Sequence, residues 1–169
     1  MGLFDMFKSD KSDQMTPHLA FAISLLYCMA ADGEMDNEEV GHLLSVLGGE
    51  SSGGSIGVGA NNRVLLENAQ RYIRKNRPDA FLREAAPLLS DAQKICILMN
   101  MVDSALSDGQ PEREEQELIG QFQVAFGISD DRFAPFFQAV MIKNDRGVFL
   151  NQNHPSNAPG FKVTLPGLK

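Results

Sequence analysis

The side chains with the most chemistry in them are carboxylates, and they fall in two related groups. ADGEMDNEEV begins at Ala31 and SDGQPEREEQ at Ser107, so an offset of 76 lays Asp32 on Asp108, Gly33 on Gly109, Glu38 on Glu114 and Glu39 on Glu115. Counting neighbours, eleven acids gather around these turns: Asp32, Glu34, Asp36, Glu38, Glu39, Asp103, Asp108, Glu112, Glu114, Glu115 and Glu117. Like charges at that density repel unless water or cations neutralise them. Two readings stand side by side. In the first the acids are caps: Gly33 and Gly109 suit left-handed helix ends, Asp36 with Glu39 has the form of a capping box, and first-turn acids complement the helix dipole. In the second they hold a divalent cation. Capping accounts less well for the second copy, because Glu112 is a poor N-cap and the acidic excess runs on through Glu117.

Known metal motifs narrow the second reading. With Gly33 at loop position 6 of an EF-hand, Glu39 takes position 12, and Glu115 stands likewise to Gly109. Positions 1 and 3 are then Cys28 and Ala30, or Ser104 and Leu106, which removes most oxygen ligands. Glu39 and His42 have the spacing of a di-iron helix motif, but the second copy puts Leu118 where the histidine belongs. His18 and His154 have no partner at ligand spacing and read as surface histidines. Cys28 and Cys96 lie among apolar residues and read as inert core thiols. No nucleophile, base and orienting acid stand at a recognisable spacing, and no G-x-S-x-G occurs, so the expectation is a protein that is not an enzyme.

The elements that must position the acids show in the hydrophobic period. Val40, Leu43, Leu44 and Leu47 form one amphipathic stripe, and Val64, Leu65, Ala69, Tyr72 and Ile73 a second. Leu118, Ile119, Phe122, Ala125 and Phe126 form a third, and Phe133, Phe136, Phe137, Val140 and Met141 a fourth. Pro17 to Ala31 and Ser90 to Leu106 are apolar on nearly every side, as expected of a central enclosed pair. A shorter helix fits Asp79 to Ala86, between Pro78 and Pro87. The expectation is all-α, about seven helices, with an internal pseudo-twofold that relates two helix, Asp-Gly turn, helix hairpins. Six glycines among the fifteen residues of GGESSGGSIGVGANN, 48–62, make that stretch a loop, and it lacks the Lys-Ser/Thr ending of a phosphate loop. Residues 1–15 read as a short amphipathic segment, 16–144 as the helical domain, and 145–169, with its prolines, as an extended tail.

Composition sets outer bounds. The chain has 169 residues, 43% hydrophobic, enough to bury a core without staples. A net charge of −7 argues against nucleic acid as a partner and for cations or basic surfaces. Against that total, Arg63, Arg71, Arg74, Lys75, Arg77 and Arg83 outnumber Glu67, Asp79 and Glu84 and make one segment locally basic, which reads as a solvated face. Two cysteines without a framework fit a reducing cytoplasm. The longest strongly apolar run, Leu19 to Ala31, is too short to span a membrane, and Asp5 interrupts the N-terminal apolar stretch that a signal peptide would need.

The apolar helix followed by A-D-G-E-x-D-x-E-E and an amphipathic helix, repeated as S-D-G-Q-P-E-x-E-E, resembles the tellurite-resistance TerB-like family over roughly Thr16 to Asn144. The MGLFDMFK opening is similar as well. The resemblance implies an all-helical fold with an approximate twofold, an acidic surface that binds metal, and a role in resistance to tellurite and related stress. It also implies protein partners associated with the membrane, which would place the chain at the inner face of that membrane. Carried over residue by residue, the metal-site acids fall on Asp32, Glu39, Asp108 and Glu115. Hard carboxylates favour Ca²⁺, Mg²⁺ or Mn²⁺, with Zn²⁺ an option if His42 joins. The competing expectation is a protein-interaction module that binds no metal. The long Gly-rich loop, the proline-bearing tail, and Pro111 and Glu112 at the second turn depart from the family pattern.

Overall fold

A computed structural model describes residues 14–31, 43, 62–106 and 111–161. Among these residues it contains seven α-helices and no strand. They are α1 (Pro17–Met29), α2 (Asn62–Lys75), α3 (Pro78–Ala85), α4 (Asp91–Leu106), α5 (Arg113–Phe126), α6 (Asp130–Asn144) and α7 (Gly147–Leu150). The all-α expectation holds. The N-terminal segment to residue 13, the helix expected over Val40 to Leu47 apart from the buried helical Leu43, and both Asp-Gly turns lie outside the described residues. So does the Gly-rich loop up to Asn62, where α2 begins. The chain divides into two compact units, 1–27 with 35–88 and 28–34 with 89–169, the cut passing through α1 after Tyr27.

In the first unit α1 starts where Thr16 Oγ1 accepts the N–H of Leu19 at 3.1 Å, with Pro17 preset for the first helical position. Every residue from Leu19 through Met29 is buried, as the apolar run predicts. Ser24, fully buried among them, donates its hydroxyl to the Ala20 carbonyl at 2.7 Å. The buried line of α2 is Asn62, Leu66 and Ala69. Val64, expected on that stripe, is 57% exposed. At roughly 100° per residue it stands about 160° around the helix from Leu66. Tyr72, Tyr27 and the fully buried Phe81 join α2, α1 and α3, with ring centroids 5.7 Å apart for Tyr27 and Phe81 and 6.0 Å for Tyr72 and Phe81. The Tyr27 hydroxyl donates to the Asn76 carbonyl at 2.7 Å between α2 and α3. Burial, with the Asp79 charge behind it, pushes that phenol up to about 12. Tyr72 donates to Glu84 at 2.7 Å, and burial followed by that carboxylate raises its phenol further.

The second unit rests on α4, α5 and α6. Ser90 and Gln93 close a reciprocal capping box at the start of α4, at 2.9 and 3.2 Å. α4 buries one face, Ile97, Leu98, Met101, Val102 and Ala105, and is not enclosed as its composition suggested. Cys96 points away from that face and is exposed, against the expectation of a core thiol, while Cys28 is buried and donates to the Met101 carbonyl at 3.6 Å. α5 buries Leu118, Phe122 and Phe126, leaving Ala125 outside, and ends at Gly127 in the left-handed region, φ 67°. There the Ile128 N–H reaches the Gln123 carbonyl at 3.2 Å, and Ile128 itself is buried.

Two ion pairs set the direction of α6. Arg132 meets Asp91 at 2.8 Å, start to start, and Lys143 meets Asp103 at 2.6 Å, end to end. Helices α4 and α6 therefore run parallel, and α5 is the return stroke. Beyond Asn144 the segment expected to be extended forms the single turn of α7 and a 3-10 turn over Pro155–Asn157, because local side-chain bonds replace the missing hydrophobic period.

Candidate functional site

Of the four acids assigned to a metal, the structure places Glu115; Asp32, Glu39 and Asp108 lie outside the described residues, as does His42. Glu115 sits in the first turn of α5. Its carboxylate accepts the Glu112 N–H at 2.8 Å, one half of a capping box whose other half is the Glu112 side chain on the Glu115 N–H. The expectation that Glu112 makes a poor N-cap is corrected. A glutamate is longer than the usual capping side chains, but the reciprocal partner three residues on holds the turn closed. Gln116 Nε2 ties the same turn to the Pro111 carbonyl at 2.8 Å, and Arg113 pairs with Glu117 at 2.8 Å. Glu112, Glu115 and Glu117 therefore serve the local architecture of the helix start.

Asp103 has a different duty. Both of its oxygens accept from Lys143 Nζ, at 2.6 and 2.7 Å, and Oδ1 also accepts from Asn144 Nδ2 at 2.7 Å. A mostly buried carboxylate with a cation and an amide upon it is a fastening between α4 and α6. Among the described residues no group of three or more His, Cys, Asp or Glu side chains gathers as a metal site would require. His154 is held at both ring nitrogens: Nε2 lies 2.8 Å from Asp145 Oδ2, and Nδ1 accepts the Ser156 N–H at 3.2 Å. The six basic residues between Arg63 and Arg83 are all exposed, and Arg83 and Arg77 approach Asp79 at 3.3 and 3.9 Å.

The second unit also has an open groove of about 400 Å³ among α4, α5 and α6. Val102, Ala105 and Leu106 of α4 form its floor, Gln116, Ile119, Gly120 and Gln123 of α5 one wall, and Phe137 and Met141 of α6 the other. The stripe of α6 explains this wall: Phe133 and Val140 are buried, while Phe137 and Met141 remain 41% and 38% exposed. Sequence reading assigned all four to the core. No helix among the described residues is long and apolar enough to cross a membrane.

Compared with protein-family models, residues 18–136 match the model described as tellurite resistance protein TerB. The match spans both repeated acidic turns and the helices on either side of them. Comparisons with curated proteins and with solved structures returned no match.

Proposed function

Because the chain belongs to the tellurite-resistance TerB family, we propose that it is a non-catalytic acidic helical domain that binds a divalent cation and acts in a response to tellurite or metal stress. The observation that carries this reading is the acidic turn present twice within the matched residues, with Asp32 and Glu39 in one copy and Asp108 and Glu115 in the other. Four hard oxygen donors suit Ca²⁺, Mg²⁺ or Mn²⁺. Glu115 fits such a role alongside its capping bond, since an ionised carboxylate offers about four lone-pair sites. On this reading the domain works in the cytoplasm, with a protein partner at the inner face of the membrane.

A second reading, a protein-interaction module without metal, draws support from the employment of the described acids. Glu115 and Glu112 cap α5, and Asp103 fastens α6. Calorimetric titration with Ca²⁺, Mg²⁺, Mn²⁺ and Zn²⁺ separates the two, run beside the Asp32→Asn, Asp108→Asn double variant. Saturable binding that disappears in the double variant supports the metal site. Binding that persists unchanged, or no heat at millimolar metal, refutes it and leaves the acids as caps and docking charges.

A further inference from the structure

The last described segment, Pro155 to Phe161, has little core to rest on. Pro155 and residues 157–161 are exposed, so polar ties rather than apolar burial decide where the segment lies. Two side chains supply them. Asn157 Nδ2 donates to the carbonyls of Val148 and Asn151 at 2.8 and 3.2 Å. His154 is the N-cap of the 3-10 turn, and its Nδ1 accepts the Ser156 N–H at 3.2 Å. Only the second tie contains a group that titrates.

The far side of the ring meets Asp145, the C-cap of α6. Nε2 lies 2.8 Å from Asp145 Oδ2, while Oδ1 of the same carboxylate accepts the Gly147 N–H at 2.8 Å. An unprotonated Nε2 at that separation would oppose lone pair to lone pair, so the neutral ring carries its proton there and keeps Nδ1 as an acceptor. The frame is tightly built. A Cβ on Gly147 would stand 2.8 Å from Asp145 Oδ1 and 3.4 Å from His154 Cδ2, which accounts for the glycine at the start of α7. Among the described residues Asp145 is the charged group in contact with the ring. Lys143, near the end of α6, is taken by Asp103 of α4 at 2.6 Å, Arg146 before α7 is exposed, and Asn151 and Asn153 in the turn that follows are neutral.

We propose that His154 is a proton-sensitive latch on the C-terminal segment: neutral, it caps the turn and fastens the segment to Asp145; protonated, it keeps Asp145 and releases Ser156. The usual capping side chains, Ser, Thr, Asp and Asn, accept throughout the physiological range, whereas the accepting atom of histidine is the one that takes up the proton. A proton on Nδ1 sets donor against donor at Ser156, and the full charge strengthens the pairing with the ionised Asp145. The ring stays and the chain leaves. The cap is therefore present above the histidine titration and lost as pH falls through it. Asn157, whose bonds do not titrate, keeps α7 joined to the segment and confines the release to the residues around Ser156.

Nitrogen-15 NMR of the full chain from about pH 8 to about pH 5, the interval in which histidine changes charge, tests the latch beside two variants. His154→Asn retains an accepting cap that cannot titrate, and His154→Leu removes the acceptor throughout. In the wild-type chain the ring is expected as the Nε2–H tautomer at the alkaline end. Protection of the Ser156 amide against hydrogen exchange, corrected for the intrinsic rate, should fall with the midpoint of the ring by roughly two- to tenfold, the loss of one hydrogen bond. Protection of the Gly147 amide should persist. His154→Asn should keep Ser156 protected at both ends of the range, and His154→Leu at neither. A neutral Nδ1–H tautomer, a Ser156 amide indifferent to the ring, or an equal fall in His154→Asn overturns the proposal. So does a parallel loss at Gly147, because the frame would then be opening as a whole.

Discussion

Replacing Gly120 and Gly127 by alanine, one at a time, adds the same methyl group at two positions where nothing lies within 4 Å of it. Contacts therefore cancel, and the backbone decides. At Gly120 the helical backbone welcomes a side chain, and alanine is better than glycine by about 1 kcal/mol in a helix interior. At Gly127, φ 67° and ψ 27°, an L side chain crowds the following carbonyl for roughly 1–2 kcal/mol. The two variants should thus differ by about 2–3 kcal/mol with opposite signs. In a chain of this size 1 kcal/mol moves Tm by about 2–4 °C, so Gly120→Ala should melt a few degrees higher and Gly127→Ala a few degrees lower. Urea unfolding followed by circular dichroism at low micromolar protein reads the same difference as midpoint shifts at constant slope. Shifts of the same sign in both variants, or a neutral Gly127→Ala, would refute the backbone argument.

Arg132, through its hydrogen bond and then its charge, holds the Asp91 carboxyl below the usual range. A depressed carboxyl contributes stability above its unfolded pKa of about 3.9 and loses it as pH falls through the folded value. Arg132→Gln should therefore return the Asp91 titration, followed by carboxyl NMR, to the ordinary range, and the stability gap to wild type should close below about pH 4; identical titrations in both proteins would count against the pair. At the thiols, a disulfide reagent should modify exposed Cys96 in the native protein and reach Cys28 only after unfolding. Burial pushes the Cys96 thiol up while Asn100 Nδ2, donating to Sγ at 3.6 Å, pulls it down, so reaction should accelerate with alkaline pH and Asn100→Leu should slow it. A rate unaffected by Asn100→Leu would remove that hydrogen bond from the account.

The helices α2, α5 and α6 were legible because burial follows a 3.6-residue period, and α1 because its run from Leu19 to Met29 is apolar but for Ser24. Where the sequence misled, it did so at the margins of that rule. Ser90 to Leu106 is apolar enough to look enclosed, yet only Ile97, Leu98, Met101, Val102 and Ala105 turn inward, and Cys96 faces out. Phe137 and Met141 share the period of Phe133 and Val140, but the period cannot show that they line an open groove and stay partly exposed. The capping of α4 was written in Ser90-x-x-Gln93 and went unread. Glu112-x-x-Glu115 carried the same message in less familiar letters. Asp103 was counted with the acidic turn because its true partners, Lys143 and Asn144, stand some forty residues on, beyond the reach of local spacing. α7 is a single turn, too short for any period to reveal.

The two bridges between α4 and α6 also decide where this chain can gain or lose residues. From Asp91 to Asp103 α4 climbs about 18 Å, and from Arg132 to Lys143 α6 climbs about 16.5 Å, at roughly 1.5 Å per residue. The near equality lets both bridges close at once. A one-residue deletion between the bridged positions of either helix would swing its far partner by about 100° and open a bridge. Changes of length between Asp103 and Arg132 leave the spacing within each helix intact. Drift in chain length among relatives should therefore collect in the turns that flank α5 and stay out of the two bridged spans.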